Sequence, residues 1–261
     1  MNRRRFLARM CIYLSGFLLG FSQFPRSSFA SGNRSFQEAS TARIALIIDD
    51  IGWSRRGALA FLDLNVPITF SVLPQLRYSN VLAGELHEAG QEIMLHQPME
   101  PQASYLDPGP GALFVGDPAD RIERTVTTNI EDIPHIRGVN NHMGSRLTES
   151  NEEITLALKT IGSQDLFFID SRTSSRSKAF PIARSLNMTA SFSNLCIDYC
   201  RDGDYTLRQL EKLGALAKSN GTAIAIGHPH LSTLKALRTF LHSPASERLT
   251  FVHVSQTFSE S

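Results

Sequence analysis

The chain has 261 residues with 26 basic against 25 acidic side chains and no low-complexity bias, which fits one large globular domain or two small ones. Five of the basic residues (Arg3, Arg4, Arg5, Arg9 and Arg26) lie in the first thirty residues, no acid occurs before Glu38, and without those thirty residues 21 basic face 25 acidic. That balance argues against nucleic acid as the expected partner, which calls for a basic face to neutralise phosphates.

Residues 1–30 read as an export signal: Arg3-Arg4-Arg5, an apolar run from Met10 to Phe21, and small residues at Ser28 and Ala30 for cleavage. The run is shorter than the ~20 residues of a membrane span, so membrane attachment is expected only through an uncleaved signal. Arg3-Arg4-Arg5-Phe6-Leu7 also resembles a twin-arginine signal, with Asn2 as the preceding polar residue. Export places the mature chain in the periplasm or cell envelope. Residues 31–42 are a polar, flexible leader.

The first element is Ile44-Ala45-Leu46-Ile47-Ile48, an apolar run that predicts a strand buried on both faces. It ends at Asp49-Asp50. Side chains alternate along a strand, so the two carboxylates share a site only if the chain turns, and Gly52 allows a turn. Two such anions call for a cation or a shared proton; a cap on the next helix is the alternative. Further apolar runs follow at Ile68–Leu73, Glu92–Leu95, Ile136–Asn140, Leu166–Ile169, Thr189–Leu195, Thr222–Ile226 and Leu249–Val254. Helical spacing fills Ser54–Leu64, Ser79–Ala89 (closed by Gly90) and Tyr205–Ser219. Ser150-Asn151-Glu152-Glu153 reads as a capping box opening another helix. Gln97–Pro118, with Asp107-Pro108-Gly109-Pro110-Gly111, is a long irregular stretch of the functional or mobile kind. The alternation predicts an α/β fold, a distorted (β/α) barrel of seven or eight units over residues 43–258. An open doubly wound sheet is the alternative, but no glycine-rich phosphate loop follows any strand.

Active sites of such barrels sit at the C-terminal ends of the strands. Those ends carry Asp49-Asp50, His96 with Glu100 four residues on, Asn140-Asn141-His142 with Arg146, Asp170-Ser171-Arg172, Asp198, and His228-Pro229-His230. Paired carboxylates and three imidazoles on one rim suit a divalent metal. Such a metal promotes hydrolysis, with one free carboxylate as base and one His as acid. Cys196 and Cys200 are spaced for a disulfide across a turn or remain free thiols.

These residues resemble the polysaccharide deacetylases of NodB-type fold, through Asp49-Asp50, Thr69-Phe70 and His96. The resemblance is more specific to the divergent branch of that family. It is carried by Leu95–Pro101, Asp107–Leu113, Gly138–Arg146 (with the run Asn-Asn-His-Met-Gly-Ser), Asp170–Thr173 and Ala225–Pro229. It implies a single NodB-like barrel, Asp49 as general base, Asp50 and His96 as metal ligands, and His228 as general acid. The family's second metal His falls at Glu100, so either Glu100 or His142 completes the set; Asp50, His96 and His142 with zinc is the favoured combination. Asp170 is placed to orient His228, bind substrate or assist the metal. Asn141, Arg146, Arg172 and Trp53 are candidates for contact with a glycan. The expected activity is metal-dependent N-deacetylation of an acetylated envelope glycan, with non-catalytic glycan binding on the same fold as the alternative. Phosphoester hydrolysis asks for two adjacent metals and a more basic rim. The oligomeric state is not legible.

Overall fold

The computed structural model describes residues 41–258; the segment expected to be an export signal, and the expected leader up to residue 40, lie outside the described residues. The chain runs through β1 (Ala42–Ile51), α1 (Arg55–Leu59), β2 (Thr69–Val72), α2 (Ser79–Glu88), β3 (Glu92–Met99), α3 (Ala119–Asp132) and β4 (Ile136–Met143). It continues through α4 (Asn151–Gly162), β5 (Phe167–Asp170), α5 (Ala179–Ser185), β6 (Ala190–Phe192), β7 (Leu195–Cys196), α6 (Gly203–Asn220), β8 (Thr222–Gly227), α7 (Leu231–Leu241) and β9 (Leu249–Val252). Every strand pairing is parallel, in the order β6-β5-β4-β3-β2-β1-β8-β7, with β9 beside the start of β1. Segment 190–196 pairs with β5 through its first half and with β8 through its second. One stretch of chain thus joins the two ends of the curled sheet. The result is a distorted (β/α) barrel. Among the described residues no helix is long and apolar enough to cross a membrane.

Period-two alternation divides each strand between two cores. Ile44, Leu46 and Ile48 of β1, Ile93 and Leu95 of β3, Val139 of β4 and Ala223 and Ala225 of β8 face outward into the large core beneath the helices. Ala45 and Ile47 of β1, Met94 of β3, Ile169 of β5 and Ile224 and Ile226 of β8 face inward and fill the barrel with Val254. Burying one Ile or Leu side chain contributes about 1.5–3 kcal/mol, so a one-residue slip that exchanged the two faces would cost both cores at once. Register is therefore tightly fixed.

Three local expectations are corrected. The turn that brings Asp49 and Asp50 together falls on Asp50 itself, at φ +59°, where the β1–β2 register shifts between Ile48 and Ile51. Aspartate tolerates this left-handed backbone better than most side chains. Ser150 does not cap the backbone of α4: its hydroxyl bonds the Glu153 carboxylate, whose other oxygen accepts from the Gly116 N–H at 2.7 Å. The stretch read as irregular from Gln97 begins instead as the last residues of β3, which runs to Met99 and bridges to Leu113.

Candidate active site

The inward side of the barrel fixes what meets at its C-terminal end. Continuing the alternation from Ala45 and Ile47 gives Asp49; from Met94, His96; from Ile224 and Ile226, His228. On β4, Asn140 and His142 share the face opposite to Val139. Pairing of β3 with β4 sets His96 against Asn140 and Pro98 against His142. Asp50 belongs by parity to the outer face and joins the group only through its left-handed backbone.

Asp50 Oδ1 lies 3.0 Å from His142 Nδ1 and 3.3 Å from His96 Nε2, and the two ring nitrogens are 3.1 Å apart. His96 Nε2 is also 3.5 Å from Asp49 Oδ2. Asn140 orders this group. Its amide nitrogen donates to Asp49 Oδ1 at 2.9 Å, so its oxygen accepts, at 2.8 Å, from His96 Nδ1–H. Ser71 donates to the same oxygen at 2.5 Å. His96 thereby turns Nε2 toward Asp50, the kind of support that orients metal-ligating imidazoles. Asp50 Oδ1 is buried with no hydrogen-bond partner among the described residues. A buried carboxylate oxygen with only ring nitrogens before it is an incomplete arrangement, and a divalent cation completes it. One carboxylate and two imidazoles suit zinc-like ions, and the three donor atoms lie within 4.8 Å of one another.

The electrostatics agree. Burial pushes the Asp49 carboxyl above the usual carboxylate range, against the pull of His96. Burial also opposes ionisation of Asp50, but His142 and His96 outweigh it and hold that carboxylate far below its ordinary value. His96 is drawn up despite burial, chiefly by Asp49 and Asp50. With only protons available, the site gathers positive charge around its carboxylates.

His228 stands at the edge of this group, its Nε2 3.9 Å from Asp50 Oδ2. Asp198 holds it twice: Oδ1 lies 2.8 Å from His228 Nδ1, and Oδ2 accepts from the His228 backbone N–H at 2.7 Å. Thr233 donates to Oδ2 at 2.6 Å. Burial would lower the His228 pKa, but Asp198 raises it to about 9. Cys196 donates to Asp198 across 3.7 Å, and burial pushes its thiol up to about 11, so it stays protonated. Cys196 and Cys200 are free.

Other expected site residues are placed elsewhere. Glu100 is not with the imidazoles: its oxygens bind Arg146 at 2.9 Å and the Val115 N–H at 2.8 Å. That contact also occupies Arg146. Asp170 follows the outward parity of Phe168 and accepts from the Arg172 and Phe180 N–H groups and the Ser177 hydroxyl. It anchors the start of α5, and the partner of His228 is Asp198 instead. Asn141 is buried, donating to the Met143 carbonyl and accepting from the Ser171 N–H. Trp53 is exposed beside a small pocket formed with Leu76, Pro98, Pro108 and His142. Arg172 lines the cleft at this rim, about 380 Å³, with Asp49, His96, His142, Cys196, Tyr199 and His228. Strand parity, applied to every strand end, singles out Asn140 and Asp198, which residue type alone had left without roles. A larger cavity of about 640 Å³ opens beside Arg137, Asp165 and Phe258 and holds none of these groups.

A distorted parallel barrel with this rim is the architecture of the NodB-like deacetylases. The model of the divergent polysaccharide deacetylase family matches residues 46–258, and the chain belongs to that family. An uncharacterized protein of Escherichia coli strain K12, YibQ, is 27% identical over 218 residues, covering 84% of this chain and 68% of its own. The crystal structure of the uncharacterized protein ATU2773 from Agrobacterium tumefaciens C58 superposes with a TM-score of 0.79 at 24% identity, covering 86% of this chain and 92% of that one. The fold is also shared with the peptidoglycan N-acetylglucosamine deacetylase Bc1960, at TM-score 0.52, 14% identity and 85% and 91% coverage. A CE4 family pseudoenzyme from Bacillus anthracis shares it too, at TM-score 0.50, 16% identity and 84% and 66% coverage.

Proposed function

We propose that the protein is an exported, metal-dependent N-deacetylase that hydrolyses the amide bond of an acetylated envelope glycan. The observation that carries this reading is Asp50 Oδ1, a buried oxygen without a hydrogen bond of good geometry that faces only the ring nitrogens of His96 and His142, with Asp49 and His228 both within 4 Å of the group. Asp50, His96 and His142 would hold the cation, and zinc fits these donors best. When bound, it supplies Lewis acidity, acidifying water and polarising the acetyl carbonyl.

The chain's own residues do the rest. Asn140 occupies Asp49 Oδ1, which leaves Oδ2 to accept a proton from the attacking water as its oxygen bonds to the acyl carbon. His228 keeps Nδ1 on Asp198 and offers Nε2–H to the substrate nitrogen. With its pKa raised to about 9 by Asp198, after burial is offset, it is protonated at neutral pH. It gives that proton to the amine as the C–N bond breaks, and the products are acetate and a free amino sugar. Base and acid of this kind each contribute about 10²–10⁴-fold.

The test is metal analysis and acetate release on the exported chain, together with the variants His96→Ala, His142→Ala and Asp49→Asn. The wild type and Asp49→Asn are expected to hold about one zinc per chain, and both His variants to lose it. Asp49→Asn should release acetate about 10²–10⁴-fold more slowly than wild type. A chain that takes up no divalent metal on reconstitution overturns the proposal. Metal uptake without acetate release from any N-acetylated glycan leaves glycan binding as the function.

A further inference from the structure

We propose that the substrate is an anionic glycan, and that Arg172 selects it by pairing with a carboxylate carried on the sugar. This inference rests on the N-deacetylase reading of the cleft and names its substrate class.

Arg172 lines the same cleft as Asp49, His96, His142 and His228, and it is the one permanent cation among the lining residues. The neighbouring arginines are engaged: Arg146 pairs with Glu100 at 2.9 Å and Arg176 with Glu149 at 3.0 Å. Arg172 has no carboxylate partner among the described residues. Its guanidinium lies over the Phe192 ring, 4.1 Å from the centroid, and that ring is braced edge-on by Phe180 at 5.1 Å. Stacking of this kind fixes the guanidinium plane and leaves its N–H edge open.

The backbone is held as firmly. The Arg172 N–H donates to Asp170 Oδ1 at 2.8 Å, and φ is +54°, a left-handed conformation that long side chains rarely adopt. Strain at the rim of a site is maintained only where surrounding contacts impose it. Beside it, the Ser171 hydroxyl oxygen is buried and has no hydrogen-bond partner among the described residues, although Ser171 belongs to the cleft wall. An oriented guanidinium in the cleft wall with no carboxylate partner among the described residues is a donor fork without its acceptor. A neutral sugar hydroxyl is served by any small polar side chain, whereas a planar fork of N–H donors matches a carboxylate in two parallel bonds. The nearby negative charge does not oppose this, because Asp198 is paired with His228 and Asp50 with the imidazoles.

The experiment compares three probes on the zinc-loaded chain and on Arg172→Gln and Arg172→Lys. They are neutral N-acetylchitotetraose, a tetrasaccharide of alternating N-acetylglucosamine and N-acetylmuramic acid, and N-acetylchitotetraose carrying a phosphate. Binding is read by calorimetry and turnover by released acetate. The carboxylated probe is expected to bind, and to exceed the neutral one in kcat/KM, by about 10- to 100-fold, the range of a charge-assisted hydrogen-bond pair. Arg172→Gln should bring that ratio close to one, and Arg172→Lys should restore part of it. Equal use of neutral and carboxylated probes by the wild type overturns the inference while leaving the deacetylase reading standing. So does a ratio unchanged in Arg172→Gln, or a preference for the phosphate. Arg172-dependent binding of the carboxylated probe without acetate release upholds the anion site and overturns the hydrolase reading. Failure to bind any probe overturns the inference.

Discussion

Asp198 decides which protonation state His228 brings to the cleft. With Asp198 in place the imidazole holds its proton to about pH 9, against an ordinary value of 6.5. In the proposed role of acid to the leaving amine, His228 has to carry that proton, so the alkaline limb of the kcat profile should fall near pH 9. Asp198→Asn removes the charge that offsets burial, and the limb should move toward 6.5 or below. At pH 8 the variant should then be about 30-fold slower, and at pH 6 far closer to wild type. The same pair has a stability signature in the metal-free protein. A pKa raised on folding stabilises fully below about 6.5, and the contribution is lost as pH rises through about 9. Urea midpoints taken across that window should fall more in wild type than in Asp198→Asn. An alkaline limb that stays in place in the variant would remove His228 from the role of acid. Most of these rim residues were legible as types at strand ends, because metal ligands and titratable groups concentrate there in barrels. Their partners were not. Glu100 and Asp170 look equally suited in sequence, and only the contacts with Arg146, Val115, Ser177 and Phe180 occupy them elsewhere.

The segment between β3 and α3 shows how a long irregular stretch is held beside such a rim. Gln97 and Asn129 are both buried and lock its second half: Gln97 donates to the Gly111 carbonyl at 2.9 Å, and Asn129 donates to that carbonyl at 2.8 Å and to Gln97 Oε1 at 2.9 Å. Gly111 has φ +71°, and a Cβ there would come within 2.3 Å of the Asn129 side chain. Asn129 cannot swing aside without losing those bonds. Gly111→Ala should therefore destabilise by about 1–3 kcal/mol, from backbone strain and overpacking together, or roughly 2–10 °C in Tm. Gly109→Ala is the matched control: φ is +89° but nothing lies within 4 Å of the new Cβ, so only the backbone penalty applies. Calorimetric melting of the two variants separates the terms, and equal losses would remove the Asn129 contact as a cause. The elements themselves were well marked in sequence. Hydrophobic runs located every strand region, because strands buried on both faces have no polar side to obscure them. The exceptions are informative. Segment 190–196 reads as one strand and pairs as two short ones, since barrel closure depends on partners distant in sequence. The left-handed Asp50 carries no signal of its own in a strand pattern, and the neighbouring Gly52 draws the turn to itself.

At the scale of the whole molecule, the proposed metal site draws its ligands from β1, β3 and β4, so a bound cation would tie the centre of the sheet together and link folding to metal binding. The ligands lie 46 or more residues apart, as with Asp50 and His96 (46) and His96 and His142 (46), so the unfolded chain holds no comparable site. A ligand that binds only the folded state stabilises it by RT ln(1 + [L]/Kd), about 2.7 kcal/mol at one hundred times Kd. For a domain of this size that corresponds to roughly 5–10 °C in Tm. Chelator treatment should therefore lower Tm by this amount, and added zinc should restore it with a dependence on concentration. His142→Ala should melt at one temperature with or without chelator, because the carboxylate and one imidazole that remain are a poor site. Competition with protons gives the pH dependence its sign. Asp49 and His96 both have raised pKa values in the metal-free protein, the first through burial and the second through the carboxylates that outweigh it. Lowering the pH loads protons onto the group that must release them to admit a cation. The gap in Tm between zinc-loaded and chelated protein should therefore narrow as pH falls. A gap that persists undiminished to pH 5, or one that survives in His142→Ala, would place the stabilising metal somewhere other than this rim.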